Sequence, residues 1–204
     1  AKSEFLSIMS HEIRTPLNAI IGLIYIMEKE NSLQSFHENI EVLKHSAQNL
    51  FLLINNILDF SKIESGKVDI ERIPFNIIDL VKQITRSLEA RASENLNTIE
   101  VIVDNDFVPN LISDPLRINQ VITNLVSNAI KFTEEGTIKI MMKQLAIQGK
   151  TSTFKIEVID TGIGIEKNKL NAVFAEYEQA SSSVKSNFGG TGLGLTICKR
   201  LVEL

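Results

Sequence analysis

Cysteine is almost missing from this chain of 204 residues, in which Cys198 is the single example. One cysteine cannot form an internal disulfide, and it excludes a metal site made of several thiolates, so the chain fits a reducing compartment. A surplus of positive charge is also lacking, because 21 lysines and arginines are outnumbered by 25 aspartates and glutamates and the net charge is −4. The sequence therefore has no basic stripe for nucleic acid, although a local cationic pocket for phosphate remains compatible with it.

Long apolar runs and leader signals are likewise missing. No stretch is apolar for long enough to span a bilayer, and the N-terminus shows no signal-peptide pattern. The composition, 44% hydrophobic and 23% charged, is ordinary for a soluble globular protein. We expect no membrane contact by this segment, and its abrupt start within helical sequence is typical of a part of a longer protein.

The first stretch predicts an amphipathic helix from about Lys2 to Lys29 with a polar window around His11. Thr15 follows four residues later and therefore shares a helix face with this histidine. An exposed neutral imidazole can act as a nucleophile at physiological pH, and Glu12 could accept the proton of the other ring nitrogen. An ordinary surface histidine beside a charge pair has the same appearance, so this motif alone does not decide the function.

A second apolar seam with the same spacing runs from Phe36 to Ile57, after a polar stretch at residues 30–35. Two long helices with a short connection predict an antiparallel hairpin. Phe51, Leu52, Leu53 and Leu58 widen the apolar surface beyond what two helices can bury. We therefore expect a homodimer in which two hairpins form a four-helix bundle.

The pattern changes at Ser65-Gly66, where glycine is the expected residue after a helix. The sequence after Gly66 predicts both helices and strands. The strands include Val68, Ile70 and residues 73–75, then residues 98–103, 137–146 and 153–159. The helices cover residues 77–92, a stretch capped by Asp114 that runs to about Phe132, a short stretch near 167–173 and a last one from about Leu193. This order indicates an α+β fold, with helices against one face of a mixed sheet. We expect two domains, residues 1–66 and 67–204.

One predicted helix carries a polar face of Asn124, Asn128 and Lys131, spaced four and three residues apart. A carboxamide oxygen suits Mg²⁺, and a lysine ammonium suits phosphate oxygens. An ordinary solvent-facing helix would look the same on spacing alone.

Two glycine-rich stretches follow. Asp160 ends a strand and precedes Gly162 and Gly164, so an acid that can accept from an exocyclic amine lies beside backbone that can approach a ring closely. The second stretch opens the last helix, where backbone N–H groups could bind phosphate, and consists of Gly189, Gly190, Thr191, Gly192, Leu193 and Gly194. It lacks the Gly-Lys-Ser/Thr ending of a Walker motif.

Taken jointly, in this order and at these separations, the four stretches resemble the H, N, G1 and G2 boxes of sensor histidine kinases. Residues 174–179 resemble the F box between the last two. The resemblance covers nearly the whole chain. It implies a dimerisation and histidine-phosphotransfer hairpin up to about Gly66, followed by an ATP-binding domain of the Bergerat type, an α/β sandwich shared with DNA gyrase and mismatch-repair ATPases.

The resemblance also implies the reaction. The chain is expected to use ATP and Mg²⁺ to phosphorylate His11, with Glu12 as acid–base partner, and to pass the phosphoryl group to an aspartate of a response-regulator receiver domain. Thr15 matches the residue that positions water for dephosphorylating that partner. The expected location is cytoplasmic, as the intracellular part of a larger, membrane-anchored sensor.

In the ATP-binding part, Asn128 matches the Mg²⁺ ligand, with Asn124 one turn before it, and Lys131 matches a phosphate contact. Asp160 matches the acid that reads adenine. The glycines match the backbone around the base and the phosphate-side hinge, namely Gly162, Gly164, Gly190, Gly192 and Gly194, and residues 175–190 match a lid over the nucleotide.

The sequence departs from the family pattern in the lid and at its end. Glu176 and Tyr177 stand where the F box usually has proline and phenylalanine, and Asn187 stands where the lid commonly carries a cation, the nearest being Lys185. The chain ends at Leu204 inside the last helix, where the family continues with further strands, so we expect the C-terminal domain to be incomplete.

Three other functions are weighed against a kinase. A gyrase-like ATPase clamp would have a glutamate one turn before Asn128 to activate water, and this chain has Asn124 there. A zinc hydrolase would need a second histidine at the position of Thr15. A dimerisation scaffold without catalysis requires that ATP does not bind.

Overall fold

A computed structural model of the chain describes residues 2–29, 33–170, 172–174 and 193–204. Five α-helices lie in these ranges: α1 Lys2–Met27, α2 Leu33–Glu64, α3 Ile77–Glu94, α4 Pro115–Phe132 and α5 Gly194–Glu203. The strands are β1 Ile73–Asn76, β2 Thr98–Val103, β3 Asn110–Ser113, β4 Thr137–Gln148 and β5 Thr151–Asp160. Two short 3₁₀ helices, Lys167–Lys169 and Ala172–Phe174, stand where one short helix was expected.

Helices α1 and α2 pack together as the predicted hairpin. Met9 near the start of α1 and Phe60 near the end of α2 belong to one buried cluster, as an antiparallel pairing requires. Helix α2 ends at Glu64. Two residues later, Gly66 has a φ of 64° and donates to the carbonyl of Ile63, while Lys67 donates to that of Lys62. This is the glycine stop that the sequence indicated. Within the described part, no helix has the length and apolarity needed to cross a membrane.

Large apolar side chains remain exposed along both helices of the hairpin. Those left outside the packed seam include Leu17, Ile21, Ile24, Tyr25, Phe51, Leu52 and Leu58. A stable hairpin in water would not leave such a continuous set uncovered without a partner surface. The expected bundle of two chains stays a prediction, for which this exposed surface is the reason.

The main sheet is mixed, with β4 in the centre. Strand β2 runs parallel to β4 and β5 runs antiparallel to it, with a bulge between Gln144 and Ala146. A second sheet pairs β1 with β3, from Ile73 opposite Ser113 to Asn76 opposite Asn110. The sequence did not predict β3, because four residues are too few to show an alternation.

The predicted strand after the hairpin was wrong in its first half. Val68 and Ile70 lie outside any strand, and β1 begins only at Ile73. The amide of Glu71 is bonded to the carboxylate of Asp114 at 3.1 Å, so the segment before β1 is held by a side chain and not by a strand ladder.

Helices α3 and α4 cover one face of the main sheet, as expected. The fully buried side chains come from both helices and from the sheet, among them Ile77 and Val81 of α3, Val126 and Ile130 of α4, and Ile138, Ile140 and Met142 of β4. The opposite face of the sheet carries charged pairs, such as Lys139 with Glu100 at 3.4 Å. The α+β assignment made from the sequence is confirmed.

The two central helices begin at side-chain caps. Asn76 accepts from the amides of Ile78 and Asp79 before α3. Asp114 accepts from the amide of Arg117 at 3.0 Å before α4, with Pro115 in the first helical position. Each such cap contributes about 1 kcal/mol and fixes where its helix starts.

The turn after α3 places Leu96 in a left-handed backbone conformation, which is unfavourable for a residue with a Cβ. Leu96 has a φ of 55°, and the amides of Leu96 and Asn97 donate to the carbonyls of Ser93 and Ala92. This left-handed turn favours glycine, since a Cβ costs roughly 1–2 kcal/mol there. Leu96 is 68% exposed, so the packing of its side chain contributes little to stability.

We predict that Leu96→Gly raises the free energy of unfolding by about 1 kcal/mol, because it removes the Cβ strain and loses only exposed surface. Urea unfolding measures the change. Leu96→Ala is the matched control, since it removes the same exposed side chain and keeps the Cβ. If the alanine variant gains as much stability as the glycine variant, backbone strain is not the cause.

Candidate functional site

One face of α4 carries the polar residues of the candidate site. Asn124, Asn128 and Lys131 are half-buried on this face, and the apolar residues on the other side of the helix are in the core. The same face continues towards the start of the helix through Gln120 and Arg117, three to four residues apart. A single rigid helix therefore sets the spacing of five polar groups.

The end of α4 meets the loop that follows Asp160. The amide of Ile163 donates to the carbonyl of Phe132 at 3.2 Å, and the amide of Gly162 donates to Asp160 Oδ1 at 3.0 Å. A Cβ added at Gly162 would overlap with the carbonyl group of Phe132. Glycine is therefore required at 162, because the loop lies directly on the helix end. Gly164 has a φ of 68°, which also favours glycine.

Lys131 is in the last turn of α4 and precedes Phe132, whose carbonyl accepts from the amide of Ile163. Burial lowers the pKa of its ammonium group, and the positive charge of Arg91 lowers that pKa further. The ammonium also lies 5.0 Å from the centre of the Phe132 ring. A cation that is partly desolvated and repelled by a second cation gains from a nearby anion, as a phosphate contact would provide.

The start of α5 lies beside Asn124. A Cβ on Gly194 would be 3.8 Å from Asn124 Oδ1, so the carboxamide faces the first residue of that helix. Cys198, one turn later, is buried and bonded to the carbonyl of Val121. Burial raises the pKa of its thiol to about 11, which keeps it protonated and unreactive, as expected for a core residue.

Part of the expected phosphate side lies outside the described residues. This concerns Lys185, Gly190, Thr191 and Gly192, together with residues 175–190 that were expected to form a lid. Leu193 is buried at the start of α5, and Gly194 is the first residue of that helix. The last helix was thus placed correctly from the sequence.

His11 lies on an exposed part of α1, with a side chain that is 72% exposed. Its Nδ1 is 3.7 Å from Glu12 Oε1, which is an ion-pair distance and longer than a hydrogen bond. The hydroxyl of Thr15 donates to the carbonyl of His11 at 3.2 Å. Its oxygen can still accept from water, so the expected role of Thr15 remains open to test.

The hairpin and the second part of the chain are joined by an apolar cluster. Met9, Leu53 and Phe60 of the hairpin are buried together with residues of α5, namely Leu193, Ile197 and Leu201. Helix α5 therefore has its first turn at the candidate phosphate side and its apolar face against the hairpin that carries His11.

A polar contact that the sequence did not predict lies beside this cluster. Asp59 of α2 binds Arg117 Nη1 at 3.1 Å and Gln120 Nε2 at 2.8 Å. Arg117 and Asp59 have side chains only 19% and 22% exposed. The spacing of Arg117 and Gln120 from Asn124 could have indicated that they extend the functional face, but no pattern indicated Asp59 as their partner.

Two protein families match parts of the chain. Residues 1–66 match the His Kinase A (phospho-acceptor) domain. Residues 113–204 match the family described as histidine kinase-, DNA gyrase B-, and HSP90-like ATPase. The chain belongs to the histidine kinases of two-component signalling. His11 is in the region that matches the phospho-acceptor domain, and α4 is in the region that matches the ATPase family.

Similar proteins agree with this assignment. The signal transduction histidine-protein kinase BarA of Escherichia coli K12 is 40% identical over 202 residues, which is 99% of this chain and 22% of BarA. The autoinducer 2 sensor kinase/phosphatase LuxQ of Vibrio harveyi is 39% identical over 207 residues, or 100% of this chain and 24% of LuxQ. The chain thus spans less than a quarter of the length of these relatives.

A solved structure has the same fold. Full-length ShkA, in complex with AMPPNP, superposes with a TM-score of 0.68 at 27% identity, over 98% of this chain and 40% of ShkA. The match covers the hairpin and the ATPase-like part together, so the kinase fold extends over almost the whole chain.

We predict that Asp59 and Arg117 are energetically coupled. In a double-mutant cycle of Asp59→Ala and Arg117→Ala, followed by urea unfolding, we expect a coupling of about 1–2 kcal/mol, because both groups are largely buried. The exposed pair Glu41 and Lys44, 3.6 Å apart, is the control and should show little coupling. Additive effects of the two substitutions at 59 and 117 would contradict the prediction.

Proposed function

We propose that this chain is the catalytic part of an ATP-dependent protein-histidine kinase that phosphorylates its own His11. The observation that carries the proposal is the arrangement around α4. Its polar face touches the start of α5 at Asn124, and its end supports the Asp160 loop through Phe132. The exposed His11 lies on the helix hairpin that packs against the same α5.

His11 supplies the nucleophile. Glu12 lies towards Nδ1, and a carboxylate on that side favours a proton on Nδ1, which leaves the lone pair on Nε2. Nε2 forms the bond to the γ-phosphorus while the bond from that phosphorus to the bridging oxygen breaks and ADP leaves. The proton on Nδ1 passes to Glu12, so that the phosphorylated ring ends neutral.

The adenine and phosphates would be bound by the residues at the two ends of the α4 surface. The Asp160 carboxylate accepts from the exocyclic amine of adenine, and the glycine backbone at 162 lets the ring approach. Lys131 is suited to a phosphate oxygen because its ammonium is partly desolvated. These contacts follow the roles that the family resemblance assigns.

Mg²⁺ fits this site only as an ion shared with the substrate. Among the described residues, no group of three His, Cys, Asp or Glu side chains could hold a metal on its own. Asn128 offers one carboxamide oxygen, which is the type of ligand that Mg²⁺ accepts beside phosphate oxygens and water. We propose that Asn128 would hold the ion, which would supply positive charge for the transfer.

The expected partners follow from the same assignment. The exposed apolar residues of the hairpin fit a homodimer with a four-helix bundle, with the phosphotransfer domain ending near Gly66. A response-regulator receiver would take the phosphoryl group from His11 on its aspartate. LuxQ is named a kinase/phosphatase, and Thr15 is the residue proposed to position water if this chain also dephosphorylates its regulator.

An ATPase clamp is the alternative that the site disfavours. Such an enzyme needs a base near the γ-phosphate, and the position one turn before Asn128 is Asn124. A carboxamide cannot take a proton from water. The Asn124 side chain is moreover engaged with the Cys198 thiol of α5, so it acts in packing that helix.

We predict that His11→Gln abolishes autophosphorylation and leaves ATP binding unchanged, because the nucleophile and the nucleotide site are on different elements. Radiolabelled ATP and a test of acid-labile, base-stable label measure the first, and calorimetry measures the second. His45→Gln in α2 is the control and should incorporate phosphate normally. Acid-labile phosphate on the His11 variant would show that another residue is the acceptor.

Asp160→Asn tests adenine recognition. The amide oxygen of asparagine can still accept from the Gly162 amide, so the loop is retained, but the carboxylate that accepts from adenine is lost. A hydrogen bond to a charged group contributes about 1.5–3 kcal/mol, so we expect ATP affinity to fall roughly ten- to more than a hundredfold and the preference over GTP to decrease.

Glu157→Gln is the control for this variant. Glu157 is on the same strand and is paired with Lys155. Its change should leave nucleotide affinity as it is. An ATP dissociation constant for Asp160→Asn equal to that of the parent protein would remove Asp160 from the site.

A further inference from the structure

Asn97 is a buried polar residue that none of the motifs includes. It follows α3 and is 5% exposed. Its Nδ2 donates to the carbonyls of Thr133 at 2.7 Å and Ile130 at 3.3 Å, and its Oδ1 accepts from the amide of Gly136 at 2.9 Å. Both amide hydrogens and the oxygen are thus used on the end of α4 and the turn after it.

Backbone bonds from two neighbouring segments also hold this turn, at residues 133–136, and one of them joins the amide of Thr98 to the carbonyl of Gly136 at 2.9 Å. Glu135 has a φ of 51°, and its amide donates to the carbonyl of Asn95. The hydroxyl of Thr133 is buried and has no hydrogen-bond partner among the described residues. The turn is therefore held through its backbone groups, and Asn97 binds two of them.

The turn at residues 133–136 also packs against the Asp160 loop. The amide of Thr137 donates to Thr161 Oγ1 at 3.0 Å, and Gly136 lies so close to the same hydroxyl that a Cβ would overlap with it. A Cβ at Gly162 would also lie 2.8 Å from Thr133 Oγ1. The residues on either side of this contact, 133 and 136, are those that Asn97 binds.

We propose that Asn97 is a positioning residue for nucleotide recognition, which fixes the Asp160 loop relative to the Lys131 end of α4. It does not touch the nucleotide. It acts by locking residues 133–136, on which Thr161 and Gly162 pack. The inference rests on the proposed function, in which Asp160 reads adenine.

The test must separate positioning from simple stability. Loss of a buried hydrogen-bonded residue lowers the free energy of unfolding whatever its role. A shift of the Asp160 carboxylate, in contrast, changes the ratio of ATP to GTP affinity in the protein that remains folded. That ratio is the decisive readout.

Asn97→Asp is the sharpest variant. The carboxylate keeps the size of the side chain and can still accept from the Gly136 amide, but it has no hydrogens for the carbonyls of Thr133 and Ile130 and repels them. We expect ATP affinity to fall about five- to tenfold and the ATP-to-GTP ratio to fall with it. Asn97→Ser removes the same donors with less repulsion and is used if the aspartate variant does not fold.

Asn95→Asp is the matched control. Asn95 Nδ2 also donates to the Ile130 carbonyl, at 3.2 Å, but its residue is exposed and its side chain has no bond to the turn at 133–136. Its substitution should change both nucleotide affinities less than twofold.

Nucleotide affinities are measured on the whole chain, below the unfolding temperature of every variant. An unchanged ATP-to-GTP ratio in a destabilised but folded Asn97 variant would overturn the inference. So would an equal loss in the Asn95 control. If Asp160→Asn leaves ATP binding intact, the proposed function fails instead, and the two results are distinguished because that variant retains Asn97.

Discussion

The burial of one side of α4 is the contact on which the rest of the structure depends. Ile122, Val126 and Ile130 lie in the core against α3 and the main sheet. Each buried aliphatic side chain of this kind contributes about 1.5–3 kcal/mol. Because this apolar side fixes the rotation of the helix, its opposite side must present the polar residues in one direction.

Fixing that rotation serves two contacts at once. The first half of α4 binds the hairpin through Arg117 and Gln120, and the second half carries Asn124, Asn128 and Lys131. Residues 117 and 131 are about 21 Å apart along a straight helix. A rigid helix of this length connects the hairpin contact to the nucleotide end without a loop between them. A change in the tilt of α4 at the hairpin therefore also moves the residues at its nucleotide end.

The local features of this protein could be predicted from the sequence, and the long-range contacts could not. Apolar spacing predicted α1 and α2, and the caps at Asp114 and Gly66 marked the helix ends, because these signals lie within a few neighbouring residues. The bonds from Asp59 to Arg117 and from Asn97 to Thr133 span 58 and 36 residues of sequence. Neither bond is associated with a periodic pattern in the sequence, and no local feature indicates that the polar side chain of Asn97 is buried.

The same limit applies within the site. The motif residues on α4 and the glycines at 162 and 164 were identified because their spacing is characteristic. The turn at 133–136 was not, since it contributes backbone groups and the side chains there show no pattern. Strand β3 was missed for a related reason, since its pairing with β1 depends on partners 34 to 40 residues earlier and not on its own four residues.

The bond between Glu71 and Asp114 shortens the tether between the two parts of the chain. Only residues 68–70 lie between Lys67, whose amide is bonded to the carbonyl of Lys62, and the amide of Glu71 that Asp114 binds, and at full extension this segment reaches about 14 Å. A linker of that length keeps the ATP-binding part at a local concentration on the order of millimolar near its own hairpin, even when the apolar contact between α5 and the hairpin is broken. Separation and return are then intramolecular steps, whose rates do not depend on how much of the protein is present.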